Sequence, residues 1–176
     1  MLLIQIHNLP FHYFEFVKPI ESILSAQNVS YESLHYKKVS EYSIYDAEKI
    51  IICGTSLKDN AFLNDVSYFQ WIKQYNGSIL GICGGMHLIG LTYNESLIKQ
   101  QEIGLHSITY KKEFFKEHGR KEVYELHNLC LKPKVFTILA ESEKCVQVIK
   151  HPQKPIYGVL FHPEVRNKNI IASFIT

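Results

Sequence analysis

Ser78-Ile79-Leu80-Gly81-Ile82-Cys83-Gly84-Gly85-Met86-His87-Leu88-Ile89-Gly90-Leu91 decides how this chain is read. An apolar run with the character of a buried strand meets a Gly-flanked cysteine, and a helical run follows. A strand turning sharply into a helix around one nucleophile is the pattern of a nucleophile elbow. Glycine on both sides admits a tight turn without Cβ clashes. The turn lifts the Cys83 sulfur to the carboxyl end of a sheet. The helix N-terminus beneath it favours negative charge and offers N–H groups to an oxyanion. A structural cysteine beside a Gly-rich turn would read the same way on this stretch alone.

Upstream, Leu2–Ile6 reads as a first buried strand, broken by Asn8-Leu9-Pro10. Phe14–Gln27 has apolar residues at helical spacing, and Pro19 places the helix start near Lys18. Val29–Leu34 is a short strand candidate. Lys49–Cys53, rich in isoleucine, reads as a central parallel strand. Asp65–Tyr75 has helical spacing and stops at Asn76-Gly77. This order predicts an α/β fold: an open, mainly parallel sheet with helices on both faces. Downstream, Ile103–Tyr110, Glu122–Leu126, Val135–Ala140 and Cys145–Ile149 read as short strands of a small antiparallel β extension. Ile156–Phe161 is a further apolar strand, and Asn169–Phe174 a closing helix.

The chain has 176 residues, 46% of them hydrophobic and 20% charged, which suits one domain over residues 1–176 with a substantial core. A net charge of +2, with lysines in scattered pairs such as Lys37-Lys38, argues against a nucleic-acid partner. Cys53, Cys83, Cys130 and Cys145 show no metal-ligand spacing, so no metal is expected, and Cys53, Cys130 and Cys145 are expected to pack in the core. The other histidines, His12 among them, have no ligand spacing and read as surface or satisfied core residues. Tyr13, Phe14 and Phe16 are expected in the core. Without a secretory signal pattern or an apolar run near ~20 residues, a cytoplasmic setting off the membrane is expected.

His162-Pro163-Glu164 ends the last predicted strand. Side chains two apart in extended chain point the same way, and Pro163 restricts His162 to extended geometry. A base and a carboxylate directed together are what a cysteine nucleophile needs: an imidazole to move a proton and an acid to fix its tautomer. Carboxyl ends of parallel strands share one edge, so Cys83 and His162 can meet there.

Gly81-Ile82-Cys83-Gly84-Gly85-Met86 and Tyr157-Gly158-Val159-Leu160-Phe161-His162-Pro163-Glu164 resemble the two signature blocks of the class I (triad-type) glutamine amidotransferases. Ile50–Gly54, Glu102–Gly104, Glu125–Asn128 and Leu139–Gln147 resemble further blocks, so the likeness runs through nearly the whole chain. Within the family, Met86, the His127-Asn128 pair and the short length resemble the stand-alone glutaminase subunits of archaeal-type GMP synthases.

The resemblance implies a flavodoxin-like fold and a Cys83–His162–Glu164 triad that cleaves the side-chain amide of glutamine through a thioester. It implies oxyanion donors at Gly84 and in the Gly54-Thr55 loop, and substrate contacts at His87, His127 and Asn128. It also implies an ATP-dependent synthetase partner that takes the ammonia. No GxxxxGK[ST] occurs here, so no cofactor is expected on this chain and ATP is expected on the partner.

Three positions depart from the family pattern. His87 stands where the family has Gln, one helical turn beyond the nucleophile and on its face. Gly54-Thr55-Ser56 replaces a Gly-Gly-Pro loop, and Leu129 replaces an acid. His87 either contacts substrate or packs under the elbow. It motivates one alternative, a γ-glutamyl hydrolase for another amide. A non-catalytic regulatory subunit on the same fold is the second.

Overall fold

Isoleucine runs along the central strands send alternate side chains to opposite faces, and each face has its own apolar layer. The computed structural model describes Met1–Thr176. Its elements are β1 (Leu2–Gln5), α1 (Lys18–Ala26), β2 (Glu32–His35), α2 (Glu41–Asp46), β3 (Lys49–Ile52), β4 (Ser78–Ile82), α3 (Gly84–Thr92), β5 (Ser96–Phe114), β6 (Glu117–Lys132), β7 (Thr137–Glu141), β8 (Val146–Lys150), β9 (Ile156–Val159) and α4 (Asn169–Ile175). They build one nine-stranded sheet in the order β2-β1-β3-β4-β9-β8-β7-β5-β6. The first five strands of that order pair in parallel and the rest antiparallel. Leu2, Ile4, Ile50 and Ile52 point to the layer under α3; Leu3 and Ile51 point to the layer under α1 and α4. The expected α/β sheet with helices on both faces and an antiparallel extension is therefore present.

Several local readings are corrected. Pro19 does sit in the first turn of α1, but a π-helical turn, Tyr13–Val17, precedes it. The second strand starts at Glu32 rather than Val29. The helix read over Asp65–Tyr75 is a 3₁₀ helix, Ala61–Lys73, broken at Asp65 (φ −112°, ψ 24°). The hairpin strands β5 and β6 run to 19 and 16 residues, far longer than the turn signals suggest. Helix α2, unforeseen in the sequence, is capped by Ser40, whose Oγ accepts from Ser43 N at 3.1 Å. Phe16 is buried, but Phe14 is 70% exposed and lies outside the core.

The elbow forms between β4 and α3. Its positive φ falls on Cys83 itself (φ 49°, ψ −105°), not on the glycines. A side chain held there costs on the order of 1–3 kcal/mol, which surrounding contacts must offset. The glycines supply space instead. A Cβ on Gly85 would stand 2.3 Å from Ile52 O, and one on Gly81 would stand 2.6 Å from the Gly85 carbonyl. Helix α3 thus lies against β3 and β4 at backbone contact.

Gly85→Ala is expected to cost at least ~2 kcal/mol, because the obstacle is backbone that cannot step aside. The unfolding midpoint in a thermal melt should fall by about 4–8 °C. An unchanged midpoint would mean that α3 can move off the sheet.

Candidate active site

Cys83, His162 and Gly54 meet at the carboxyl ends of β3, β4 and β9. A Cβ on Gly54 would lie 2.8 Å from His162 Cε1 and 3.4 Å from Cys83 Cβ, so this glycine fits between nucleophile and imidazole. His162 Nδ1 lies 2.7 Å from Glu164 Oε1, and both residues are buried. The pair forms in a turn rather than in extended strand: β9 ends at Val159, and the His162 carbonyl accepts from Val165 N (3.1 Å) and Arg166 N (3.3 Å). His162 N donates to Tyr124 O at 2.9 Å, which fixes this turn to β6.

Burial alone would depress the His162 pKa. The Glu164 carboxylate and the Cys83 sulfur overcome it and hold the imidazole well above the usual histidine range. The arrangement favours the charged, imidazolium form of His162. In this conformation the thiol points at Leu126 O (3.7 Å), and His162 Nε2 has no partner.

Gly84 opens α3, so its N–H has no intrahelical acceptor. The N–H groups of Gly54 and Thr55 also have no backbone acceptor. These donors flank Cys83 from two sides. The cavity among Thr55, Leu57, Cys83, His87, Leu126 and Asn128 is only about 10 Å³, room for one water and far too small for an amino acid. Two amides keep it shut: Asn60 Nδ2 and Asn128 Nδ2 both donate to Leu57 O, at 2.9 and 3.1 Å.

The remaining predicted residues divide. His87 is buried, and its Nε2 lies 3.2 Å from Leu129 O, so its ring is tied to β6. Asn128 reaches the loop, as described. His127 also lines this cavity, and its ring nitrogen lies between Glu102 Oε2 (3.3 Å) and Glu125 Oε2 (3.2 Å). Burial opposes its charge, but the two carboxylates raise its pKa to about 9. Glu102 also accepts from Ser142 Oγ (3.0 Å) and Gln147 Nε2 (2.9 Å).

Glu102, His127 and Cys145 bring potential metal-ligating atoms within 4.8 Å of one another, a grouping that sequence spacing does not signal. The His127 ring in this group lies between two carboxylates that favour its protonated form.

Sequence reading also misses Asp59, which lies on the same loop as Thr55. Its Oδ2 accepts from Asn8 N (2.7 Å), Leu9 N (3.3 Å) and Thr55 Oγ1 (3.2 Å), and lies 2.8 Å from His12 Nδ1. A lone Asp in a polar loop carries no local signal of such a role.

The profile of the glutamine amidotransferase class-I family matches residues 12–175. The chain is 42% identical to the glutamine-hydrolysing GMP synthase subunit of Methanocaldococcus jannaschii, over 49% of this chain and 50% of that protein. It is 38% identical to the Pyrococcus abyssi protein of the same name, over 64% and 63%. These matches span about half to under two thirds of the relatives' lengths. In fold, the chain superposes on the crystal structure of a Thermoplasma acidophilum protein provisionally assigned to the same GMP synthase subunit type. The TM-score is 0.82 at 24% identity, covering 99% of this chain and 94% of that one. With the elbow, the paired His162 and Glu164 and a family match that runs through both halves of the sheet, the chain belongs to the class-I glutamine amidotransferases.

Proposed function

We propose that this chain is the glutaminase component of a GMP synthase-type enzyme, acting in the cytoplasm in purine biosynthesis. One observation carries the reading: the buried 2.7 Å His162–Glu164 pair stands beside Cys83 on a strained elbow. The relatives named as glutamine-hydrolysing GMP synthase subunits support the choice of acceptor.

In this mechanism the Cys83 sulfur attacks the side-chain carboxamide carbon of glutamine. The carbonyl oxygen becomes an oxyanion held by the N–H groups of Gly84 and Thr55, each worth about 10²–10³ in rate. His162 gives its proton to the departing nitrogen, and ammonia leaves. The same imidazole then takes a proton from water, which attacks the thioester carbon; glutamate departs and the thiol is restored. Glu164 holds the imidazole in the tautomer that presents Nε2 to sulfur. Ammonia passes to an ATP-dependent synthetase partner, which activates the acceptor. Glutamine needs more room than about 10 Å³, so the Leu57 side of the loop, released by Asn60 and Asn128, must move outward for it to enter.

His87 takes no part in proton transfer. Burial, with the His127 charge nearby, lowers its pKa to about 4, so it is neutral at working pH. Its bond to Leu129 O joins α3 to β6. The residue that motivates a different amide substrate is thus held by packing.

Ammonia release from glutamine, measured on the chain alone and with a GMP-synthase-type synthetase partner, tests the proposal. Cys83→Ala should lower it by at least about 10³-fold and Glu164→Gln by about 10²–10⁴-fold. Glutamine left intact by the complex, or activity retained in Cys83→Ala, would overturn it.

A second prediction concerns pH. The folded pKa of His87, about 4, lies below its ordinary 6.5. The unfolded chain therefore binds the extra proton between those values, and stability is lost as pH falls from 6.5 towards 4. In urea melts over that range, His87→Gln should flatten the acid slope by about 1.4 kcal/mol per pH unit.

A further inference from the structure

The segment Gly54–Asn60 is tied down at two points. On its outer side, Leu57 O is gripped by Asn60 and Asn128. On its inner side everything converges on one oxygen. Asp59 Oδ2 receives two backbone N–H groups of the loop after β1, the Thr55 hydroxyl and the His12 ring. The carboxylate is 6% exposed and His12 is 4% exposed. Burial opposes charge on Asp59, but these donors keep its pKa below the usual carboxylate value.

The network reaches the triad from a second direction. The His12 ring packs edge-on against Phe16 (5.8 Å between centroids), and Phe16 packs on His162 (5.3 Å). Asp59 thereby bonds directly to the side chain of Thr55, whose N–H faces the oxyanion in the mechanism above. Through two rings it reaches the imidazole that must face the same carbon. A carboxylate suits this role: its anionic oxygen accepts several donors, and the side chain presents no donor of its own.

We propose that Asp59, with His12, is the positioning residue of the oxyanion loop: it holds the Thr55 N–H at the place where negative charge develops on the substrate oxygen. This rests on the glutaminase reading given above. Asp59 touches no reacting atom. It acts through Thr55 on one side and through His12 and Phe16 on the other. An interaction felt only in the transition state changes kcat and leaves KM nearly alone. Alkylation of Cys83 by iodoacetamide forms no oxyanion, so it reports on the thiol without the loop.

The test compares wild type, Asp59→Asn and the pair Thr55→Val and Thr55→Ser, each assayed with the synthetase partner. Asp59→Asn should lower kcat for glutamine by about 10²-fold, with KM and the Cys83 alkylation rate within about threefold of wild type. Amide hydrogen exchange over residues 54–60 should quicken at least about tenfold, because the opening free energy of that segment falls. Thr55→Val should lower kcat by about tenfold, and Thr55→Ser should recover most of that loss. If Asp59→Asn does not fold, the Thr55 pair decides: equal kcat in Thr55→Val and wild type overturns the proposal. A kcat within twofold of wild type in Asp59→Asn, or unchanged exchange over 54–60, also overturns it. If the wild-type complex leaves glutamine intact, the glutaminase reading fails, and the exchange experiment still decides whether Asp59 holds the loop.

Discussion

The approach of Gly85 to the Ile52 carbonyl is the constraint on which the rest of the site depends. A helix normally rides on a sheet at side-chain distance. Here no Cβ separates α3 from β3, and Gly81 and Gly85 oppose each other with equally little room. With the helix pressed so close, the chain has too short a path from β4 into α3 for a relaxed turn, and Cys83 takes a positive φ. The strain is stored at the one residue whose exposure the chemistry needs. Cys83 N donates to Val159 O at 2.8 Å and Cys83 O accepts from His87 N at 3.1 Å, so the strained residue is secured at both ends.

The first half of the fold is legible because its signals are local. Lys49–Ile52 and Ser78–Ile82 are buried on both faces, and only uninterrupted apolar strands fit such positions. Pro19 marks the start of α1 for a mechanical reason. The hairpin of β5 and β6 is not legible at its true length. Its exposed stretches carry polar residues on both faces, and irregular pairing between Lys99 and Glu102 and between Tyr110 and Phe114 breaks the alternation that marks a strand. The 3₁₀ helix has apolar residues that satisfy a 3.6-residue spacing and a threefold one almost equally, so spacing cannot tell the two apart.

In the site, the legible parts are those with neighbours in sequence. Cys83 with its glycines, and His162 with Glu164, carry their geometry within a few residues. His162 and Glu164 pair in a turn and not in the strand that their spacing suggests, yet a separation of two brings the side chains together in either conformation. Residues whose purpose depends on distant partners stay silent. Asp59 meets Asn8 and His12 about fifty residues away, and Glu102 meets His127 and Gln147 across three strands. Resemblance puts His127 and Asn128 at the substrate; both line the cavity beside Cys83, the His127 ring within a buried ion cluster and Asn128 on the loop.

The place of β9 bears on how such a protein is made. It is the last strand in chain order, yet it lies between β4 and β8, and it alone joins the parallel half of the sheet to the antiparallel half. A ribosome therefore releases the thiol long before the residues that would set it to work. Until Ile156–Val159 slots into the gap, His162 and Glu164 have no fixed address, and the two half-sheets have no shared edge. His162 and Glu164 follow β9 directly, so a chain that stops short of Ile156 carries Cys83 without the pair that stands beside it.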